Sequence, residues 1–309
     1  MPTLAQRRVI DPILSTIVLG FVHPEHIGMQ LFPRVPVMVS GGKVIEFDKS
    51  AFRLYNTSRA PGTAFKRVQF GYQGQPYALE NHGLEAPVPR EHQREAGVVP
   101  GIDLATRAVN GVMRINSLIL EKAQADLARD DTKYDANHKN TLSGTDQWND
   151  YSNSNPITDV NDAKEAIRST TGVYPNTIEI PATVMKILTE HPKIVEKIKY
   201  SERGIVTAEI LAAVFDIPKV IVGKAIAFDD ADASIDVWGK DVVLAYVPDN
   251  PSGMEEPSFA YTYVMEGHPN VEVPYWEDST KSWIYGVGYE RAPVLTGMVS
   301  GFVIKNAVL

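Results

Sequence analysis

Four oxygen-bearing side chains, Asp230, Asp232, Ser234 and Asp241, fall at positions 1, 3, 5 and 12 of a calcium-loop template, a spacing that wraps a hard cation in oxygen ligands. Ile235 stands where the sharp turn needs glycine, and Asp241 replaces the bidentate glutamate. The pattern therefore predicts a solvated loop tip between two strands. His23 and His26 flank Pro24 and Glu25 with no third ligand at a metal-site spacing, so packing is expected of them. Gly223-Lys224 lacks both the first glycine of a phosphate loop and the Ser or Thr that must follow, since Ala225 comes next. Gly286-Val287-Gly288 is half of a dinucleotide fingerprint, with Arg291 where the third glycine belongs. No Gly-x-Ser-x-Gly elbow and no His-Glu-x-x-His helix is present. The sequence therefore assigns no catalytic, cofactor-binding or metal-ligating residue. Cysteine is absent, which removes disulfides and thiolate sites and leaves burial or assembly as the sources of added stability.

The elements around these residues carry more information. Lys43 to Phe47 and Phe65 to Tyr72 have the β-branched and aromatic character of strands, and Asn56 to Thr63 between them is turn chemistry built on Pro61-Gly62. A two-stranded ribbon is marginal in water unless it leans on something. The glycines and prolines at 71, 74, 76, 83, 87 and 89 offer no amphipathic partner nearby. Then Ala105, Val109, Val112, Ile119, Ala123 and Leu127 recur near the helical period, leaving Arg107, Arg114, Glu121 and Lys122 mostly outside the stripe. A helix from Asp103 to Arg129 would extend roughly 40 Å and act as a strut.

At 44% hydrophobic and 22% charged, the 309 residues are globular, enough for one elaborate domain or two ordinary ones. The apolar run Ile13 to Val22 is too short to span a bilayer, and Asp11-Pro12 reads as an N-cap followed by proline at the first helical position. A formal net charge of −8 argues against tight binding to a phosphate backbone, which depends on many Lys and Arg contacts. Residues 131–156 read as a polar connector. Beyond them the spacing predicts a helix capped by Asp159 that stops at Gly172, a strand over Asn176 to Ile180, helices begun by Pro181 and Pro192, a helix over Ala208 to Phe215 and a strand over Lys219 to Gly223. Strands then dominate: Ser234 to Trp238, Val242 to Val247, Phe259 to Val264, Val271 to Tyr275, Trp283 to Val287 and Met298 to Ile304. Helices in one half and antiparallel strands in the other predict an α+β fold.

In this order of elements the chain resembles the tailed-bacteriophage major capsid proteins of the HK97-like fold, over nearly its whole length. Ile210 to Ala225, a helix and then a strand ending in Val222-Gly223, and Pro175 to Ile180 ahead of a helix, are similar to segments of that family's axial domain. The resemblance implies an N-terminal arm (1–36), an extended E-loop hairpin region (37–90), a peripheral domain with the spine helix (91–140 and 265–309) and an axial domain (141–264). It implies self-assembly into hexamers and pentamers of an icosahedral shell around double-stranded DNA held without sequence specificity. Portal, scaffolding and decoration proteins would be partners, and the chain would pass from the host cytoplasm to the virion without a membrane. Cross-linking through Lys49 or Lys66, known in one branch of the family, has no residue-by-residue match here and is not carried over.

Flat subunits that enclose a large volume must bury much of their surface on copies of themselves. Phe47, Phe52, Arg53, Tyr55, Phe65, Arg67, Phe70 and Tyr72, on the hairpin, are of the types enriched at interface hot spots and are the expected inter-subunit contacts. Two other readings remain open at this point, a bacterial encapsulin-type nanocompartment shell and a soluble hydrolase.

Overall fold

The computed structural model describes residues 10–43, 57–59, 61–62, 64–65, 67, 76–96, 103–199, 206–248 and 258–309. Asp11 caps α1 (Pro12–Leu19) through the Ile13 and Leu14 amides, with Pro12 opening the helix as the sequence predicts. A single turn, α2 (Gly28–Leu31), leads to β1 (Arg34–Val37), and β2 (Gly41–Lys43) pairs with β3 (Pro76–Ala78). After β4 (Glu80–Pro89) and α3 (Arg90–Ala96) comes the long helix, α4 (Leu104–Arg129). Its cap is the expected Asp103, which accepts the Ala105 and Thr106 amides. No helix among the described residues is long and apolar enough to cross a membrane.

The buried face of α4 differs from the predicted stripe. Glu121, expected outside it, is buried along with Val109, Val112, Met113, Asn116, Leu120, Gln124, Ala125 and Ala128, whereas Ile119 is exposed. The buried set is rotated from the predicted one: three donors from neighbouring elements satisfy Glu121, and the Gln124 amide nitrogen donates to Thr262 Oγ1.

The stretch 131–156, expected to be a connector, holds β5 (Lys139–Thr141) and sinks Leu142 and Trp148 into the core. Next is α5 (Pro156–Thr171), which ends at left-handed Gly172 as expected but is preceded by Asn155, with Pro156 at its first position. Asp159 sits one turn inside, where its carboxylate accepts the Trp148 indole N–H at 2.7 Å. There follow β6 (Thr177–Pro181), α6 (Ala182–Glu190), α7 (Pro192–Ile198), α8 (Ala208–Phe215) and β7 (Lys219–Gly223). The remaining strands are β8 (Ile226–Phe228), β9 (Ser234–Asp236), β10 (Val242–Ala245), β11 (Ala260–Met265), β12 (Asn270–Val271), β13 (Tyr275–Glu277), β14 (Ser282–Leu295) and β15 (Gly301–Lys305). The expected strand 271–275 is thus split between β12 and β13, and Met298–Ser300 forms a 3₁₀ turn ahead of β15.

Two sheets organise these elements. In the first, β14 is the axis: β4 pairs with it antiparallel over ten residues, from Ser282 opposite Pro89 to Arg291 opposite Glu80. Its other edge carries β11, β12 and β13, with β1 parallel to β11 outside them. The second sheet has the order β5-β15-β10-β6-β7. Its central β10, Val242-Val243-Leu244-Ala245, is buried throughout because both faces are covered. Ile178, Ile180, Val242, Leu244 and Ile304 pack with α5 to α8 on one side. Val243, Ala245 and Val303 pack with Trp238, Phe259 and the end of α4 on the other.

This pairing cuts across two of the expected boundaries. β15 lies in the sheet with β5, β6, β7 and β10, not with the strands that follow residue 265. β11, expected with residues 141–264, pairs into the sheet of β4 and β14. Residues 10–36, the described part of the expected arm, lie against the chain itself: the Val271 amide bonds to Ser15 Oγ, and β1 joins β11.

Candidate subunit-contact surfaces and the buried joint

The predicted hairpin is described at few positions, most of them at or beside its turn. Pro61 and Gly62 make the turn itself, with Gly62 at φ +83° as a left-handed position requires. The Arg59 guanidinium carbon lies 4.4 Å from the centre of the Phe65 ring, a cation–π pair. Phe65 is 80% exposed, so this chain buries little of that ring. Arg67 is exposed as well. Of the other expected contacts, Phe47, Phe52, Arg53, Tyr55, Phe70 and Tyr72 lie outside the described residues.

A second surface sits on the first sheet, on the face turned away from α4. Gly83, Gly286 and Gly288 give it a floor without side chains, and Asn81, Glu85, His268, Asn270 and Glu272 line a groove of about 680 Å³. A Cβ at Gly288 would come within 3.0 Å of Asn270 Oδ1, so the wall closes tightly over the floor there. Tyr275 donates to Glu85 at 3.2 Å across the same face. Along the rim, the outer edge of β4 has no strand partner among the described residues. On the solvent side of α4, Arg107, Gly111, Arg114, Ile115 and Ile119 are exposed together.

Behind these surfaces, α4 ties the two sheets through a buried polar joint. Near its start, Val109, Val112 and Met113 pack on Tyr285 and Val287 of β14. Near its end, Arg129 donates to Asp241 at 2.9 Å and to the Val237 carbonyl. Lys305 of β15 reaches the same Asp241 oxygen at 2.7 Å. Burial pushes the Asp241 carboxyl up, but Lys305, the Asn306 amide and Arg129 overcome it and hold the group below its ordinary value. Midway, Glu121 accepts the Ile27 amide at 2.9 Å, the Gly28 amide at 2.8 Å and the Trp238 indole N–H at 2.7 Å. Burial outweighs those bonds and raises the Glu121 pKa. Glu179, on the face of β6 turned toward this joint, is fully buried, and neither of its oxygens has a hydrogen-bond partner among the described residues. Burial drives its pKa well up, and the nearby Glu121 and Asp241 add to the shift.

Other polar groups resolve as structural. The carboxylate of Asp241 belongs to the joint, so it cannot close a calcium loop with Asp230 and Asp232, which are exposed at the β8–β9 turn. No group of three potential metal ligands occurs among the described residues. His23 and His26 stack with ring centres 3.9 Å apart, and burial followed by the charge of His23 lowers the His26 pKa to about 4. Gly286-Val287-Gly288 lies in mid-strand, far from the strand-to-helix turn that a dinucleotide fingerprint needs. Two serine–histidine contacts occur among the described residues, His26 with Ser117 at 2.6 Å and buried Ser154 with His191 at 3.1 Å. The His191 Nδ1 accepts the Lys193 amide, so the ring proton sits on Nε2 and points at Ser154 Oγ. The Ser154 hydroxyl itself donates to the Asp150 carbonyl. A histidine in that tautomer cannot act as the serine's base.

Two sheets bridged by one long helix is the build of the HK97-like capsid shell proteins. A chain of the bacteriophage PhiM1 mature capsid shares it at a TM-score of 0.54 and 12% identity, over 93% of this chain and 88% of that one. The chain belongs to the phage major capsid protein family: the profile described as Phage major capsid protein E matches residues 119–276. The major capsid protein of Burkholderia phage BcepMu is 36% identical over 311 residues, 99% of each chain. A crystal structure of a phage-related protein from Bordetella bronchiseptica superposes at a TM-score of 0.85 with 48% identity, over 98% of this chain and 99% of that one. The protein is accordingly a structural component of the capsid shell and of the virion, not an enzyme. That membership decides for the capsid over the nanocompartment shell and sets the hydrolase reading aside.

Proposed function

We propose that copies of this chain assemble as hexamers and pentamers into an icosahedral shell that encloses double-stranded phage DNA. The observation that carries this reading is the match to a phage major capsid protein along 99% of both chains. In this reading the sheet of β4 and β14 with α4 is the peripheral unit, and the sheet of β10 with α5 to α8 is the axial unit around which copies gather. The hairpin residues Phe47, Phe52, Arg53, Tyr55, Phe65, Arg67, Phe70 and Tyr72 contact a neighbouring subunit. The exposed Phe65, backed by Arg59, supports that role. With a net charge of −8, the shell contains DNA without gripping its sequence. Assembly begins in the host cytoplasm, with a portal and a scaffolding protein as partners and with decoration proteins joining the finished surface.

Negative-stain electron microscopy with light scattering, on the chain alone and co-expressed with its neighbouring genes, tests the reading. Closed shells, or rings of five and six that convert to shells, are the expected outcome. A monodisperse 34.1 kDa particle under every condition would defeat it. Within that experiment, Phe65→Ala is expected to change the unfolding free energy of the lone chain by less than about 0.5 kcal/mol, as for most exposed positions. The same variant should cut particle yield severalfold, since hot-spot truncations cost about 2 kcal/mol or more. Wild-type yields from Phe65→Ala would remove that residue from the interface.

A further inference from the structure

We propose that the free edge of β4 pairs antiparallel with the same edge of a second copy, about a two-fold axis through Gly83. This rests on the self-association above only in requiring a second copy.

The argument begins with which way the β4 amides point. The Arg90 amide bonds to the Lys281 carbonyl, and along an antiparallel ladder alternate residues share that direction. Residues 82, 84, 86 and 88 therefore face β14, and Asn81, Gly83 and Glu85 present their N–H and C=O groups to the open edge. Pro87 and Pro89 fall on the outward parity, the one place in a paired strand where proline loses nothing. The open window is bounded at both ends. Pro87 and Pro89 have no N–H to offer, and the Leu79 amide is already taken by the Ser40 carbonyl at 2.7 Å.

Within that window one self-complementary register draws all of its backbone bonds from residues 81–85. Centred on Gly83, the pairing sets Asn81 opposite Glu85 twice and Gly83 opposite itself, with about six backbone hydrogen bonds by the antiparallel rule. Asn81 can donate to the opposing Glu85 carboxylate, and no like charges meet. Moving the centre to Glu85 would spend the ladder on Pro87 and Pro89, and moving it to Asn81 would run it into Ser40. A two-fold on Leu84, with the even residues as non-hydrogen-bonded pairs, sets Asn81 opposite Pro87, which has no N–H to return, and one on His82 brings in Leu79, whose amide is taken, so both reach outside the open window. Long open edges are ordinarily blunted by prolines and charges; residues 81–85 hold no proline, and their one formal charge, Glu85, faces Asn81 in this register. The two glycine-floored grooves would then adjoin across the axis.

Because the chain has no cysteine, single introduced thiols report the register. A Cβ at residue 83 meets nothing nearer than the Val287 carbonyl at 4.0 Å, so Gly83→Cys fits the fold. In particles treated with a mild oxidant, Gly83→Cys should yield disulfide-linked dimers, since residues opposed in a hydrogen-bonded antiparallel pair lie about 5.5 Å apart, within disulfide range. Asn81→Cys alone should yield none, and Asn81→Cys with Glu85→Cys should restore the link. Particles in which neither Gly83→Cys nor the double variant cross-links above the Asn81→Cys control would overturn the edge pairing and leave the shell reading standing. A wild-type chain that forms no particles would take down both.

Discussion

Replacing Glu179 with glutamine is expected to stabilise the unassembled chain at about pH 8 and to change it little near about pH 4. In the native structure this carboxyl is fully buried, has no hydrogen-bond donor to either oxygen, and shares its surroundings with two further acids, Glu121 and Asp241. Arg129, the nearest cation to act on it, is committed to Asp241 and the Val237 carbonyl. A carboxyl whose folded pKa lies above its unfolded one has its full stability below the unfolded value, close to the ordinary glutamate range, and loses it as the pH rises through the folded value. Glutamine is nearly isosteric and cannot ionise, so it keeps the low-pH stability at every pH. The gain should be on the order of 1–3 kcal/mol, the cost of a buried polar group left unsatisfied. That corresponds to about 2–4 °C in melting temperature per kcal/mol for a chain of this size class. Calorimetric scans of both proteins across the pH range decide it. Coincident melting temperatures at the alkaline end would mean that the ionised Glu179 finds a compensating partner in the folded chain.

The readability of this fold from its sequence followed how local each signal was. The caps at Asp11, Asp103 and Gly172 were legible because a cap is a contact between residues two to four apart. The strut helix was legible from its spacing, but the direction it faces was not. A glutamate reads as solvent-facing until three donors from residues 27, 28 and 238 are brought to it. The stretch 131–156 misled for a related reason. Its aspartates do make local turns, Asp135 with Asn137 and Asp150 with Ser152, while Tyr134, Leu142 and Trp148 between and beside them sink into the core. Strand partners were the least legible feature, since β4 finds β14 and β5 finds β15 across more than 150 residues with no local mark. The glycine and prolines of β4 gave no amphipathic pattern from which to read a strand. They are compatible with a strand because Pro87 and Pro89 sit on the parity whose amides have no ladder partner. The turn at Pro61-Gly62 follows the sequence reading, whereas the groove floored by three glycines from two distant strands had no signal in composition or spacing.

Glu121→Ala is expected to be the most damaging single change at the joint, lowering stability by roughly 3 kcal/mol or more. Among the described residues it supplies the only acceptors for three buried donors that arrive from different parts of the chain: the Ile27 and Gly28 amides of the N-terminal segment and the Trp238 indole ahead of β10. Truncation leaves all three without an acceptor, and each orphaned buried donor costs about 1–3 kcal/mol. Removing a charge that burial disfavours returns part of that loss, which is why the expectation sits at the lower end of the sum. Glu121→Gln should fall between. Its amide oxygen can still accept from Ile27 and Trp238, which share Oε1, but its NH₂ group would face the Gly28 amide, donor against donor. Trp238→Phe removes one donor without stranding an acceptor that has two others, so it should cost less than Glu121→Ala. The discriminating measurement is the double-mutant cycle by chemical denaturation. Glu121→Ala combined with Trp238→Phe should be less destabilising than the sum of the two, by about 1 kcal/mol, because the indole donor orphaned in the first variant is absent from the second. Strict additivity, or a Glu121→Ala cost below 1 kcal/mol, would show that Glu121 does not hold the N-terminal segment, the long helix and the second sheet in one piece.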